Sequence, residues 1–431
     1  MTAVIVAALS MTVVGIPLAL ALDRRVHGPL LLGMALLYGS GLLYFVLLAL
    51  SIAGIRWTVL SVTVPALIAG AACWLIARRQ AGGPAIGRPV RPHWLDLFTV
   101  ATIAGYAVFA TIAPLWEWDF WAIWGMKAKV FLERGGIDWR FLESRWNAYV
   151  HPDYPLLVPL NYDFASLLHG GWSDRWLGII TVAWAVALVL IVRHLAAMES
   201  GPVPAALAAL VIAPIAASRF IGIAEGPLIA FSGAAVLLLR RGLLFDDDAG
   251  WRHGAVLLGL AANVKNEGVA MIVAVIVALL FVRPRAVVRL WPSVVIAAPW
   301  LVLRAVHHLQ TDITSGAVLQ RLIMRLPHAG TIGAMAARTV YHPFFWALLL
   351  VAFLIVPAAR KREAFVLLFT AVQLSFYLAT YLVTPNDPRW HIETSWSRLT
   401  EQIAVPITFV VILLLADAAA GRAAATRRES A

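Results

Sequence analysis

AVIVAALSMTVVGIPLALAL, residues 3–22, carries no charge over its whole length and stops at Asp23-Arg24-Arg25. A helix of that length rises about 30 Å, the hydrocarbon thickness of a bilayer. No basic n-region precedes the run, so it reads as a first membrane span rather than a cleaved leader. The pattern then recurs. Apolar runs fall at about 28–50, 57–77, 95–114, 174–192, 203–218, 223–239, 253–264, 267–282, 289–306, 342–358, 363–383 and 398–417. The chain is 61% hydrophobic and 13% charged, where a soluble domain carries roughly 25% charge. Backbone polar groups in lipid must be satisfied within the segment, which leaves helices for spans of this length. The expectation is an all-α polytopic membrane protein with about 13 transmembrane helices.

The net charge is +11, from 34 basic and 23 acidic residues. Nucleic-acid binding is not the reading, because the basic residues recur at alternate connections, as cytoplasmic loops do. They include Arg24-Arg25, Arg78-Arg79, Arg193, Arg240-Arg241, Arg283-Pro284-Arg285 and Arg360-Lys361-Arg362. That places the N-terminus outside and puts three polar segments, 115–173, 307–341 and 384–397, on the outer face. No internal repeat or low-complexity tract is visible. Residues 1–80 read as an accessory set of helices, 95–417 as the main membrane domain, and 418–431 as a cytoplasmic tail. The single cysteine, Cys73, lies inside an apolar run and allows no intrachain disulfide.

Within 253–282, Asn263-Val264-Lys265-Asn266-Glu267-Gly268 interrupts the hydrocarbon. Charge in mid-run is costly unless it reaches water or a cavity, so two short helices meeting at an apex are expected, with Lys265 and Glu267 presented outward. The first outer segment opens with Trp116-Glu117-Trp118-Asp119-Phe120-Trp121-Ala122-Ile123-Trp124. Tryptophans favour the headgroup level, but acids between them gain nothing from lipid. Trp faces stack on sugar rings and carboxylates accept hydroxyl hydrogen bonds, so Trp118, Asp119 and Trp121 suit a carbohydrate.

Further on, His151-Pro152-Asp153-Tyr154-Pro155 is a kinked stretch that presents Asp153 either as a turn former or as a reacting acid. Asp163, in Asn161-Tyr162-Asp163, reads as a solvated or capping acid. Glu225 opens a span, where a helix dipole favours it, and Arg219 is its nearby candidate partner. The last outer segment holds Trp390-His391 and ends in Ser397-Arg398. Arg398 could snorkel to headgroups or bind phosphate, and Lys265 is likewise a candidate phosphate contact.

These stretches resemble the GT-C superfamily of membrane glycosyltransferases, over about 95–415 and outside 1–80. The resemblance is carried by Trp118-Asp119-Phe120-Trp121 after a span, His151-Pro152-Asp153-Tyr154-Pro155, Ala224-Glu225-Gly226-Pro227-Leu228, Val264-Lys265-Asn266-Glu267-Gly268 and Trp390-His391 through Arg398. It implies a GT-C-like bundle with juxtamembrane helices in the first outer loop, in a bacterial cytoplasmic membrane with its active site on the extracytoplasmic side. The implied donor is a polyprenyl-phosphate-linked sugar and the acceptor a glycan, lipid or protein. Asp119 would be general base, with Asp153 and Glu225 as further catalytic acids. The family's second acid is usually Asp, and Glu225 departs from that by one methylene. Trp118, Trp121, His151, Lys265, Glu267, His391 and Arg398 would contact substrate, the two cations at the lipid phosphate. Some relatives use a divalent metal, Mg or Mn, for which Asp119, Asp153 and Glu225 could supply oxygens. The alternative class is a transporter or flippase of lipid-linked sugars without catalysis.

Overall fold

A computed structural model describes residues 1–80, 90–309, 311, 316–339 and 359–429, and among these every regular element is helical. The first three helices are α1 (Thr2–Leu22), α2 (Gly28–Ile52) and α3 (Val59–Arg79). Each is nearly charge-free and starts where the chain permits it. Pro29 follows the extended N-cap His27 of α2, and Thr58 and Ser61 close a reciprocal capping box on α3. The backbones of α1 and α2 touch: a Cβ on Gly39 would overlap the Met11 carbonyl, so only glycine permits this crossing.

After α4 (Asp96–Ile112) comes a run of short pieces. They are a π-helical turn at 120–124, α5 (Gly125–Arg134), α6 (Trp139–Glu143), a 3-10 turn at 145–150 and α7 (Leu157–His169). Gly135 ends α5 in the left-handed region, at φ 73°. The long helices resume with α8 (Gly178–Ser200), α9 (Pro202–Ala217), α10 (Glu225–Phe245), α11 (Asp248–Ala261), α12 (Asn266–Val282) and α13 (Trp291–Val306). Two short amphipathic helices follow, α14 (Val318–Arg325) and α15 (Ala329–Arg338). The chain ends with α16 (Ala359–Arg362), α17 (Ala364–Val383), α18 (Pro388–Glu401) and α19 (Ala404–Glu429).

Length and hydropathy make this a multi-pass membrane protein, but with fewer spans than the sequence suggests. Eight described helices are long and apolar enough to cross, or nine if α18 and α19 form one span bent by 48°. Thirteen is therefore corrected. The runs at 95–114 and 267–282 fold as 17-residue helices, about 26 Å long, just short of a bilayer core. The run at 253–264 belongs to α11, which has 14 residues and an acidic start. The run at 342–358 lies outside the described residues. Lipid-facing surfaces are evident where expected: α4 exposes Leu97, Phe98, Val100, Val108, Phe109 and Ile112.

Segment 115–173 is less of a loop than it reads. All of Leu157 to Ser166 in α7 is buried, packed on α1, α2 and α5. The first three helices share one continuous apolar core with α8, α10 and α11. The centre of that core is α10, buried along nearly its whole length. Near the C-terminal end of α10, Arg240 is sealed between Glu199 of α8 and Glu363 beside α17. Its guanidinium donates to both Glu199 oxygens at 2.9 Å and to both Glu363 oxygens at 2.6 Å.

Candidate functional site

The N-terminal end of α10, some 22 Å from Arg240 at 1.5 Å per residue, is where the charged residues of separate elements converge. Glu225 is the first residue of α10 and is buried. The break between α11 and α12 comes up to it. Gly268 turns so close to α11 that a Cβ there would overlap the Ala261 carbonyl, and this tight return aims Lys265 at Glu225. Lys265 Nζ lies 2.9 Å from Glu225 Oε1 and 2.9 Å from Glu267 Oε1. From the other side, Arg398 in the last turn of α18 donates to Asp119 Oδ2 at 2.7 Å and lies 3.9 Å from Glu225 Oε1. Asp119, Glu225, Glu267, Lys265 and Arg398 thus form one chain of alternating charge.

A cavity of about 250 Å³ opens beside it, lined among others by His151, Asp153, Tyr154, Glu225, Lys265, Glu267, His391 and Arg398. Tyr377, Ser395 and Thr384 add hydroxyls to its wall. Asp119 is not among the lining residues and connects to the cavity through Arg398. His391 is held by Thr384 Oγ1 at 2.9 Å and edge-on to Tyr381.

Asp153 is fixed from three sides. Asn266 Nδ2 donates to its Oδ2 at 2.6 Å, Trp300 donates to its carbonyl at 3.2 Å, and the helix break hydrogen-bonds the same segment through Leu157 and Asn263. Burial pushes the Asp153 carboxyl above the usual range, while the charges of Arg304 and Lys127 and the Asn266 hydrogen bond pull it back. Lys127 is the residue that sequence reasoning passed over. It is fully buried, donates to the His151 carbonyl at 2.6 Å, and faces the Trp124 and Tyr154 rings at 5.4 and 5.7 Å. Burial brings its ammonium down to about 7, against a weaker upward pull from Asp153. Its signal was helical spacing: Trp124 three residues before and Phe131 four after put Lys127 on the apolar stripe of α5. His151 itself takes a left-handed backbone, at φ 50°, which turns its ring onto Tyr154.

The structure corrects the readings of Arg219 and Asp163 and places the remaining residues as follows. Trp118 and Trp121 are exposed, and neither lines the cavity. Arg219 does not serve Glu225; it pairs with Glu401 in α18. Asp163 is neither solvated nor capping: it is buried, and neither oxygen has a hydrogen-bond partner among the described residues. Nor do Asp119, Asp153 and Glu225 make a metal site. Each is engaged by a different cation or amide, and no cluster of three or more His, Cys, Asp or Glu fit for a metal occurs among the described residues.

The arrangement can do two things chemically. A carboxylate held by a cavity-lining arginine can accept a proton from a hydroxyl, and two cations within reach of one cavity can hold an anionic oxygen. Comparison with models of known families, with curated proteins and with solved structures returns no match, so the geometry of this site is what speaks for function.

Proposed function

We propose that the chain is a membrane glycosyltransferase that moves a sugar from a polyprenyl phosphate to a hydroxyl of a glycan, lipid or protein acceptor. The reaction would occur at the extracytoplasmic face of a bacterial cytoplasmic membrane. One observation carries the reading: the cations Arg398 and Lys265 line one cavity, joined through Glu225, and Arg398 in turn holds Asp119.

Arg398 donates to one oxygen of Asp119. A phosphodiester entering the cavity competes for the same guanidinium, which suits phosphate as well as carboxylate. Taking Arg398 frees an Asp119 oxygen for the acceptor hydroxyl, so donor binding unmasks the base. The acceptor oxygen then attacks the anomeric carbon, its proton passes to Asp119, and the bond from that carbon to the phosphate oxygen breaks. The electron pair leaves with the polyprenyl phosphate, and the configuration inverts. Negative charge grows on the departing phosphate, where Arg398 and Lys265 stabilise it. Glu225 and Glu267 hold the Lys265 ammonium in place, and Asp153, locked by Asn266, shapes the cavity wall.

Product analysis with a polyprenyl-phosphate sugar and purified protein tests the proposal. A new glycosidic bond with inverted configuration supports it. Free sugar would mean hydrolysis, and translocation of intact donor across a vesicle would mean transport; either overturns it.

A further inference from the structure

At the end of the bundle opposite the cavity of the candidate site, α1, α11 and α13 leave a crevice of about 620 Å³. The separation follows from α10, which starts at Glu225 and leads into α11 about 30 Å away. The walls of the crevice are apolar, from Val256 on α11 and Val295 and Ile296 on α13. Val295 is itself exposed, so the crevice opens on a hydrocarbon-facing surface. Its mouth is cationic. Arg252 and Arg289 line it, and the Arg289 guanidinium lies 5.6 Å from the Trp251 ring. Exposed Trp291 marks the same level, the depth at which indoles meet headgroups.

The charges at this mouth do not cancel. Arg289 donates to Asp248 at 2.8 Å, while Asp23 is shared by Arg25 at 2.6 Å and Arg252 at 3.0 Å. Three guanidiniums face two carboxylates, which leaves one positive charge over. Arg252 and Arg289 each commit a single N–H to a carboxylate, and a guanidinium has five.

We propose that this crevice binds one anionic glycerophospholipid, with its phosphate on Arg252 and Arg289 and an acyl chain along α13. A cationic rim over an apolar slot between helices is complementary to that molecule at both ends. A soluble phosphate would leave the slot empty, and a zwitterionic lipid would leave the surplus charge unmatched. The site does not depend on the transferase reading.

The test is a thermal-unfolding and native mass-spectrometric titration of the delipidated full chain with phosphatidylglycerol, phosphatidylcholine and free glycerophosphoglycerol. Phosphatidylglycerol is expected to bind as a single retained lipid, and the double variant Arg252→Ala with Arg289→Ala to weaken it about thirtyfold, roughly fivefold per guanidinium. If that variant does not fold, Val295→Trp, which fills the slot and keeps the charges, is expected to abolish retention. Equal binding of phosphatidylcholine, equal binding of the free headgroup, or phosphatidylglycerol retained unchanged by the variant that folds would overturn the proposal.

Discussion

Asp119→Asn separates the chemistry from the fold by magnitude. The substitution keeps the shape of the side chain and removes its charge, so the only described contact at stake is the 2.7 Å pair with Arg398. The two side chains keep 20% and 29% of their exposure. A pair that open to water is worth about 0.2–1 kcal/mol, so the unfolding midpoint should barely move. A general base contributes roughly 10²–10⁴ in rate, which is about 2.7–5.5 kcal/mol of barrier at 1.36 kcal/mol per decade. The catalytic effect thus exceeds the structural one several-fold. The assay follows polyprenyl phosphate released and glycoside formed by detergent-solubilised protein, with the melting curve measured on the same preparation. A normal melt with a rate reduced at least a hundredfold is the expected result. If the variant retained more than a tenth of wild-type turnover, Asp119 could not be the base, and the unmasking step would fall with it.

Four further outcomes follow from the same geometry. Arg398→Ala should raise the donor KM and lower kcat together, because the guanidinium binds the donor phosphate and also meets the charge that grows on it in the transition state; an unchanged donor dependence would return Arg398 to a purely structural pairing. Arg240→Met leaves the buried carboxylates of Glu199 and Glu363 with the half-exposed Arg362 as their remaining described cation, and should cost up to about 3–5 kcal/mol; adding Glu199→Gln and Glu363→Gln should recover most of that in a detergent-unfolding titration. Asp163→Leu removes a buried carboxyl that has no described partner and should stabilise by about 1–3 kcal/mol, read as a higher melting temperature. Lys127 titrates near 7 in the folded chain and at the ordinary 10.5 when unfolded. The unfolded chain therefore binds the extra proton between those values, and stability rises with pH across that window. Lys127→Met should flatten the rise, as measured by melting temperature from pH 7 to 10.

The membrane character of the chain is legible because hydrocarbon runs are long and charges punctuate them. The span count is less so. Composition cannot tell a 17-residue helix such as α4 or α12 from one that crosses fully, nor see that α18 and α19 join at a bend. Pairing is the least legible property. Arg219 is six residues from Glu225, so nearness in sequence suggested a pair, yet Glu225 receives Lys265, forty residues away. Asp119 and Arg398 are 279 residues apart, and no local pattern announces their contact. Lys127 and Asp163 were hidden for another reason. They lie in a polar segment that reads as a loop, so burial was not expected of it; α5 and α7 instead fold back into the bundle and carry both residues inside.

The two ends of α10 show why similar residues have different uses. Glu225 at its N-terminus and Arg240 near its C-terminus both match the polarity of the helix dipole, and both are joined to opposite charges from other helices. Their surroundings differ. Arg240, Glu199 and Glu363 expose 3% or less of their side chains, so no anion can reach the guanidinium without unpacking α8 and α17. Arg398 lines a cavity and carries Asp119 on its far side, so an incoming phosphate can replace a carboxylate at little cost in packing. Exposure, more than residue type, decides which of these ion pairs is a brace and which can be exchanged. The braced pair sits on α10 itself, whereas the exchangeable one meets that helix only through Glu225, 3.9 Å from Arg398.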